Sequence, residues 1–357
     1  MLIRECLRES WRNIVTGTSR AALLAGLLGL LLAALSIADA AAVNRLDAQA
    51  QTYRSSGAAI RAASAPHSIN PAACEAIAAV DGITSSGALR DSASLSLGAL
   101  GGLTVPVYDV TQGLPAVLGA SHPESSGAFI SSTLASRWNV EPGDTVATDR
   151  GPLAIAGLFP YTERDGRDPR FANAVLLPTP ATGHFDACLA EVWPSTASRD
   201  GLLRGTADGL DGKPGGASVS LLNEAFGRNW QGSSDFEARV TRFAPIAGAV
   251  LGAVLGAGAT IRRRLEFAAA LHTGVGPGRL AVLVGAESAM WTAAAAAGAF
   301  AASGAIGVVL FRSTIGPALS TAGLTSAAGM LAAIAGAVAA TGAVRESQLF
   351  RHFKNRS

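Results

Sequence analysis

The chain has 357 residues, 49% of them apolar and 15% charged, with a mean hydropathy of +0.33 and a formal net charge of +2. That composition excludes an ordinary soluble protein of one or two domains. The +2 is a sum of opposed parts and points to no nucleic-acid partner.

Residues 1–20 carry Arg4, Arg8, Arg12 and Arg20 against Glu5 and Glu9. Ile3, Leu7, Trp11 and Ile14 recur at spacings of four, four and three, with Arg4, Arg8 and Arg12 on another face. This predicts an amphipathic helix lying on the inner membrane surface; an ordinary basic flank is the alternative. The apolar run 21–38, "AALLAGLLGLLLAALSIA", opens the first of four predicted transmembrane helices, 21–43. Its end, "ADA" at Ala38 to Ala40, also has the form of a processing site, so a cleaved secretion signal competes with a retained span.

Residues 44–241 are mixed, Pro-containing and turn-rich, with 14 basic and 20 acidic side chains. They predict a large extracytoplasmic mixed α/β domain between helices 1 and 2. In "INPAACEAIAAVDGI", Asn70 caps a helix, Pro71 takes its first position, and Ala73, Ile77 and Val80 form an apolar stripe. "LTVPVYDV" from Leu103 and "GPLAIAGLF" from Gly151 read as strands, and "EPGDTV" at Glu141 to Val146 as a turn feeding a strand. Ser121 to Ser126 and Gly201 to Gly216 read as surface loops.

Transmembrane helix 2 is placed at 242–261. Between 243 and 261 only seven residues are Leu, Ile, Val or Phe, worth about −3 kcal/mol of insertion energy, so the helix is marginal alone. It carries Gly248, Gly252 and Gly256, a tandem G-x-x-x-G that admits another helix backbone to backbone; a chain rich in Ala and Gly also produces such spacings by chance. Residues 262–279 form a connector, 280–311 an interfacial elbow and helix 3, 312–318 a short outer loop, 319–344 helix 4 and 345–357 a cytoplasmic tail. Within the four apolar runs, 21–38, 243–261, 280–311 and 319–344, Glu287 is the one charge. A carboxylate in a span is a functional candidate; seven residues into its segment, it can also simply reach the interface.

The short basic stretches fix orientation. Residues 1–20, 262–279 and 345–357 have net charges of +2, +3 and +3, which places both termini and the connector in the cytoplasm. In the connector, "RLEFAAAL" is long enough for two helical turns and Gly274, Gly276 and Gly278 let the chain turn back. Arg262, Arg263 and Arg264 anchor its start at lipid headgroups or acidic protein, or only enforce topology.

Enzyme chemistry finds no support. The five histidines are scattered, no H-E-x-x-H or paired-Cys spacing exists, and His184 with Asp186 lacks an evident third ligand. There is no G-x-S-x-G and no G-x-x-x-x-G-K-[ST]; of two lysines, Lys213 sits in "DGKPGG", where no helix opens. The chain is therefore expected to bind no cofactor and no metal, and to hydrolyse no ATP by itself. Cys6 falls on the reducing side. Cys74 and Cys188 both fall outside, as a disulfide or as two unpaired thiols.

The order of elements resembles the FtsX-like, MacB-type permeases of ABC transporters. The connector "RRRLEFAAALHTGVGPGRL" is similar to that family's Arg-rich stretch after the second span, with Arg262 to Arg264 and Glu266 matching well. Glu287 in "LVGAES" stands where the family often has a glutamate. "CEAIAAVDGITSSGAL", and "LASRWNVEPGDTV" with "LAIAGLF", look like segments of its outer domain. The glycines make this connector looser and its second half poorer in charge than is usual there.

The resemblance implies a MacB-like periplasmic core between spans 1 and 2. It also implies a separate ATPase subunit of MacB, LolD or FtsE type carrying ATP and Mg, and a second permease copy or a related permease within the membrane lipid. Coupling to that ATPase would fall on Arg262, Arg263, Arg264, Glu266, Leu271, Gly274 and Gly276, and the cargo would be a peptide, an antibiotic or a lipoprotein. Two other expectations stand beside it: a non-transport regulator transmitting force to a cell-envelope partner, and a membrane-anchored receptor with no ATPase.

Overall fold

The computed structural model describes residues 3–17, 20–97, 103–121, 126–161, 166–194, 199–208, 216–227, 229–310 and 315–344. The 345–357 tail with its basic residues, Lys213 and most of "DGLDGKPGG", residues 122–125 and the first half of the 312–318 loop lie outside them. The chain forms two compact units, Met1–Ala48 with Gly232–Ser357, and Gln49–Gln231.

The first unit is helical. It holds α1 (Ile3–Val15), most of α2 (Ala21–Ser55), α7 (Gly232–Ala238), α8 (Ala244–Arg262), α9 (Arg264–His272), α10 (Pro277–Leu310) and α11 (Ile315–Thr341). Four helices are long and apolar enough to cross a membrane: Ala21–Ser55, Val240–Arg262, Pro277–Leu310 and Gly316–Thr341. Their tightest pairing joins α8 to α11. A Cβ on Gly252 would collide with the Gly329 carbonyl, and one on Gly256 with the Ala333 carbonyl. On α11, Thr325, Gly329, Ala333 and Ala337 recur every four residues opposite this stripe, and Thr260 continues it by donating from Oγ1 to the Ala337 carbonyl at 3.1 Å. The G-x-x-x-G face is thus occupied within the chain, and close backbone packing offsets the weak insertion of α8. Leu28 and Leu32 of α2 are fully buried against Trp291, Ala295 and Ala299 of α10 and Ala333 of α11.

One expectation needs correction here. No separate elbow precedes the third span: α10 begins at Pro277 and runs unbroken for 34 residues, about 51 Å at 1.5 Å per residue, so its extra length projects past a hydrocarbon core of roughly 30 Å. Helix α1 packs on α10, where Ser10 is fully buried and donates to the Leu283 carbonyl at 3.4 Å. Trp11 remains 62% exposed.

The second unit is a mixed α/β domain. Its strands are β1 (Ile60–Ile69), β2 (Ile83–Leu97), β3 (Leu103–Val110), β4 (Ala128–Ser131), β5 (Thr145–Thr148), β6 (Gly151–Phe159), β7 (Val175–Pro178), β8 (Phe185–Val192) and β9 (Ser218–Leu221). The sheet order is β5-β6-β4-β7-β3-β2-β8-β1-β9. Pairs β3–β7 and β4–β6 are parallel and the others antiparallel.

Strand β8 lies between β1 and β2, and its alternate residues enter two different clusters. Ala187 and Leu189 join Tyr108, Phe129, Phe159, Tyr161 and Phe171, while Cys188 and Ala190 join Phe185, Val192 and Leu203. With side chains alternating between two covered faces, the central residues Ala187 to Ala190 are all apolar, and the acids Asp186 and Glu191 fall toward the strand's ends. Helix α3 (Pro71–Ala76) starts as expected, with the Asn70 side chain accepting from the Ala73 N–H at 3.0 Å. Its buried residues are Pro71 and Cys74, whereas Val80 is exposed, so the predicted Ala73–Ile77–Val80 stripe is displaced. The helix ends at Ala76, before Ile77 and Val80, and Cys74 on its buried side is bonded to Cys188 across a separation of 114 residues, which stabilises by up to about 5 kcal/mol in the chain-entropy picture. Gly201 to Gly216 is not all loop either, since α6 (Asp200–Arg204) buries Leu203 and places Asp200 2.7 Å from the buried Arg61.

Candidate functional site

The junction of α8 and α9 is a single residue, Arg263, which closes one helix and opens the next at φ −96° and ψ 13°. The bend turns its side chain into the helical unit. Its Nη1 donates to Glu287 Oε1 at 2.7 Å and its Nε to Glu266 Oε2 at 2.9 Å, with the guanidinium 4.9 Å above the Phe267 ring. A planar fork of donors can hold two carboxylates at once, which a lysine ammonium does with far less geometric definition. Burial alone would lower the Arg263 pKa; hydrogen bonding to Glu266 and the charge of Glu287 override it and hold it above its ordinary value. The side chain is therefore always a cation.

Glu287 is 6% exposed, and its other oxygen accepts from Asn13 Nδ2 of α1 at 3.4 Å. The carboxylate is thus buried within the helical unit, with both oxygens engaged. One carboxylate on α10 thus ties together α1, the connector and α10. A cavity of about 20 Å³ beside it, bounded by Thr260, Arg263, Glu287, Ser288 and Trp291, has room for about one water.

The connector splits into two faces. Phe267 and Ala268 are buried against Leu280 and Val284 of α10 and Ala337 of α11, with Leu271 partly buried beside them. Arg262, Arg264, Glu266 and His272 are exposed. Of the three arginines expected to anchor the connector outward, Arg263 points inward and only Arg262 and Arg264 remain on the surface. Gly274, at φ +92°, needs the left-handed backbone that ends α9. Gly276 has no such requirement, and Gly278 belongs to the first turn of α10, so the loose segment is only Thr273 to Gly276.

One ionic pair escaped the sequence reading. Asp39 of α2 is fully buried and lies 3.1 Å from Arg239, which sits between α7 and α8. The signal was present, a lone acid at the end of an apolar run, but its partner is 200 residues away. Outside this unit, His184 faces Asp208 at 3.5 Å with both side chains largely exposed, and Asp186 instead faces His67 at 3.2 Å. Among the described residues no group of three or more His, Cys, Asp or Glu side chains gathers as metal ligands do. The arrangement at Arg263 is a bracket of hydrogen bonds between three helices.

No family model matches the chain, and no curated protein does. Solved structures similar to it include the periplasmic region of MacB from Actinobacillus actinomycetemcomitans, at 12% identity and a TM-score of 0.35, covering 48% of this chain and 91% of that one. The extracellular domain of the noncanonic ABC-type transporter YknZ from Gram-positive bacteria is 11% identical at a TM-score of 0.30, covering 46% and 99%. A domain of a permease protein from Porphyromonas gingivalis is 12% identical at a TM-score of 0.31, covering 48% and 89%. These likenesses are distant and carry no functional weight by themselves.

Proposed function

We propose that the chain is the permease subunit of an ABC-type transporter, in which a separate ATPase pushes on the connector and the helical unit passes the displacement to an extracytoplasmic α/β domain, so extruding a substrate. The element order and the connector motif support this reading. The observation that carries it is the division of labour in the connector: Arg263 locks it to α10 and α1 through Glu287, while Arg264, at the start of α9, stays exposed. A helix built this way transmits a push on its exposed face instead of flexing under it. The outward charges suit an ATPase surface carrying complementary ones.

The test is co-purification of the full-length chain from its native membrane, with ATP hydrolysis measured in the eluate. An ATPase subunit should accompany the wild-type chain and be lost from the charge-reversed Arg264→Glu variant. Hydrolysis that is absent from the wild-type eluate, or unchanged in the variant, would refute the reading.

A further inference from the structure

Between the first turns of α2 and the last turns of α8 runs a groove of about 670 Å³, within the roughly 300–1,000 Å³ of ligand pockets. Its walls are apolar: Leu23 and Leu27 lie one helical turn apart on α2 and meet Val254 of α8, and all three are exposed. Its mouth is basic, lined by Arg20, Arg262, Arg263 and Glu266. Arg263 is already engaged by Glu266 and Glu287. Arg20 and Arg262 have neither an ion pair nor a side-chain hydrogen bond among the described residues. Arg20 also holds its backbone in the left-handed region at φ 52°, a costly conformation for a side chain of this size and one that collects at ligand sites.

We infer that this groove holds an acidic phospholipid, with its phosphate between Arg20 and Arg262 and an acyl chain along Leu23, Leu27 and Val254. The walls run along two helices that are apolar enough to cross a bilayer. A polypeptide entering there would have to satisfy its backbone groups in hydrocarbon, whereas an acyl chain has none to satisfy. Both arginines sit where these spans end, at headgroup height, and guanidinium pairs with phosphate through two parallel hydrogen bonds. The surplus of two cations selects a net-negative headgroup over a zwitterionic one. The assignment needs only that these helices cross a bilayer, and no ATPase enters its test, so its failure leaves the coupling reading untouched.

The full-length chain, purified in mild detergent, is equilibrated with mixed micelles of phosphatidylglycerol and phosphatidylcholine, and retained lipid is read by native mass spectrometry. Phosphatidylglycerol should be kept in preference. Arg20→Gln with Arg262→Gln should lower its retention about thirtyfold, roughly fivefold for each arginine. Leu27→Trp, which fills the groove without altering charge, should also lower retention, and it decides the matter if the double variant does not fold. Arg8→Gln, exposed on α1, should leave retention unchanged.

Equal retention of both lipids, or retention indifferent to these variants, would overturn the assignment. Thermal stabilisation by inorganic phosphate equal to that by phosphatidylglycerol would reduce the groove to an anion site and also overturn it. So would a disulfide between two copies through Leu27→Cys in native membranes, which would make the groove a protein interface.

Discussion

The two ends of α8 are each held by an arginine and a buried carboxylate, yet they are built differently. At the connector end, Arg263 serves Glu266 and Glu287, and Glu287 takes a further donor from Asn13, so both charges are well supplied. At the other end, Asp39 meets Arg239 through one oxygen, and its second, Oδ2, has no partner among the described residues. A buried pair costs desolvation on both sides and repays it only when the remaining lone pairs and protons are met. The connector end is therefore a bracket that joins three helices, and the other end is a single-point contact with slack left in it.

The largest effect should come from Glu287→Ala, which leaves Arg263 buried beside Glu266 alone. We expect a loss of about 3–5 kcal/mol from the helical unit, read by thermal unfolding in detergent. Replacing both partners, as Arg263→Met with Glu287→Leu, should recover most of that stability while ATPase stimulation stays lost. If stimulation returns with stability, the bracket is structural only.

Between the two ends, Gly256→Leu would drive a side chain into the Ala333 carbonyl of α11. Overpacking of this kind costs about 1–3 kcal/mol, and the same unfolding measurement reads it. Asp39→Asn should matter least, at about 1 kcal/mol, because an amide oxygen still accepts from Arg239. A cost for Asp39→Asn equal to that of Glu287→Ala would erase the contrast between the two ends.

Much of the architecture was legible because it rests on local signals. Long apolar runs mark the four helices, and "LTVPVYDV" and "GPLAIAGLF" alternate or carry β-branched residues as half-buried strands do. Strands β1 and β8 were missed because "IRAASAPHSI" and "FDACLAEV" are Ala-rich, with few of the β-branched and aromatic residues that mark strands. Their state is set by burial on two faces, which no window of sequence contains. The α3 stripe slipped because the α-helix ends at Ala76 and the chain continues as a 3-10 turn, whose tighter period does not carry the stripe on.

At the site, the connector and Glu287 could be singled out by charge inside apolar surroundings. Which of three identical neighbours turns inward could not, since Arg262, Arg263 and Arg264 differ only in where the α8–α9 bend aims them. Asp39 was passed over because its partner lies on the far side of an entire domain in sequence, and pairing at that range has no spacing rule.

An ATPase can push on the connector only if the connector faces the cytoplasm. The direct measurement places a cysteine at Thr273, which is exposed, in a Cys6→Ser background, and treats intact and permeabilised cells with a membrane-impermeant maleimide. Ser94→Cys, exposed in the α/β domain, serves as the outer reference. A cytoplasmic connector is labelled at Thr273→Cys only after permeabilisation, with Ser94→Cys labelled in intact cells. Labelling of Thr273→Cys from the medium would contradict it.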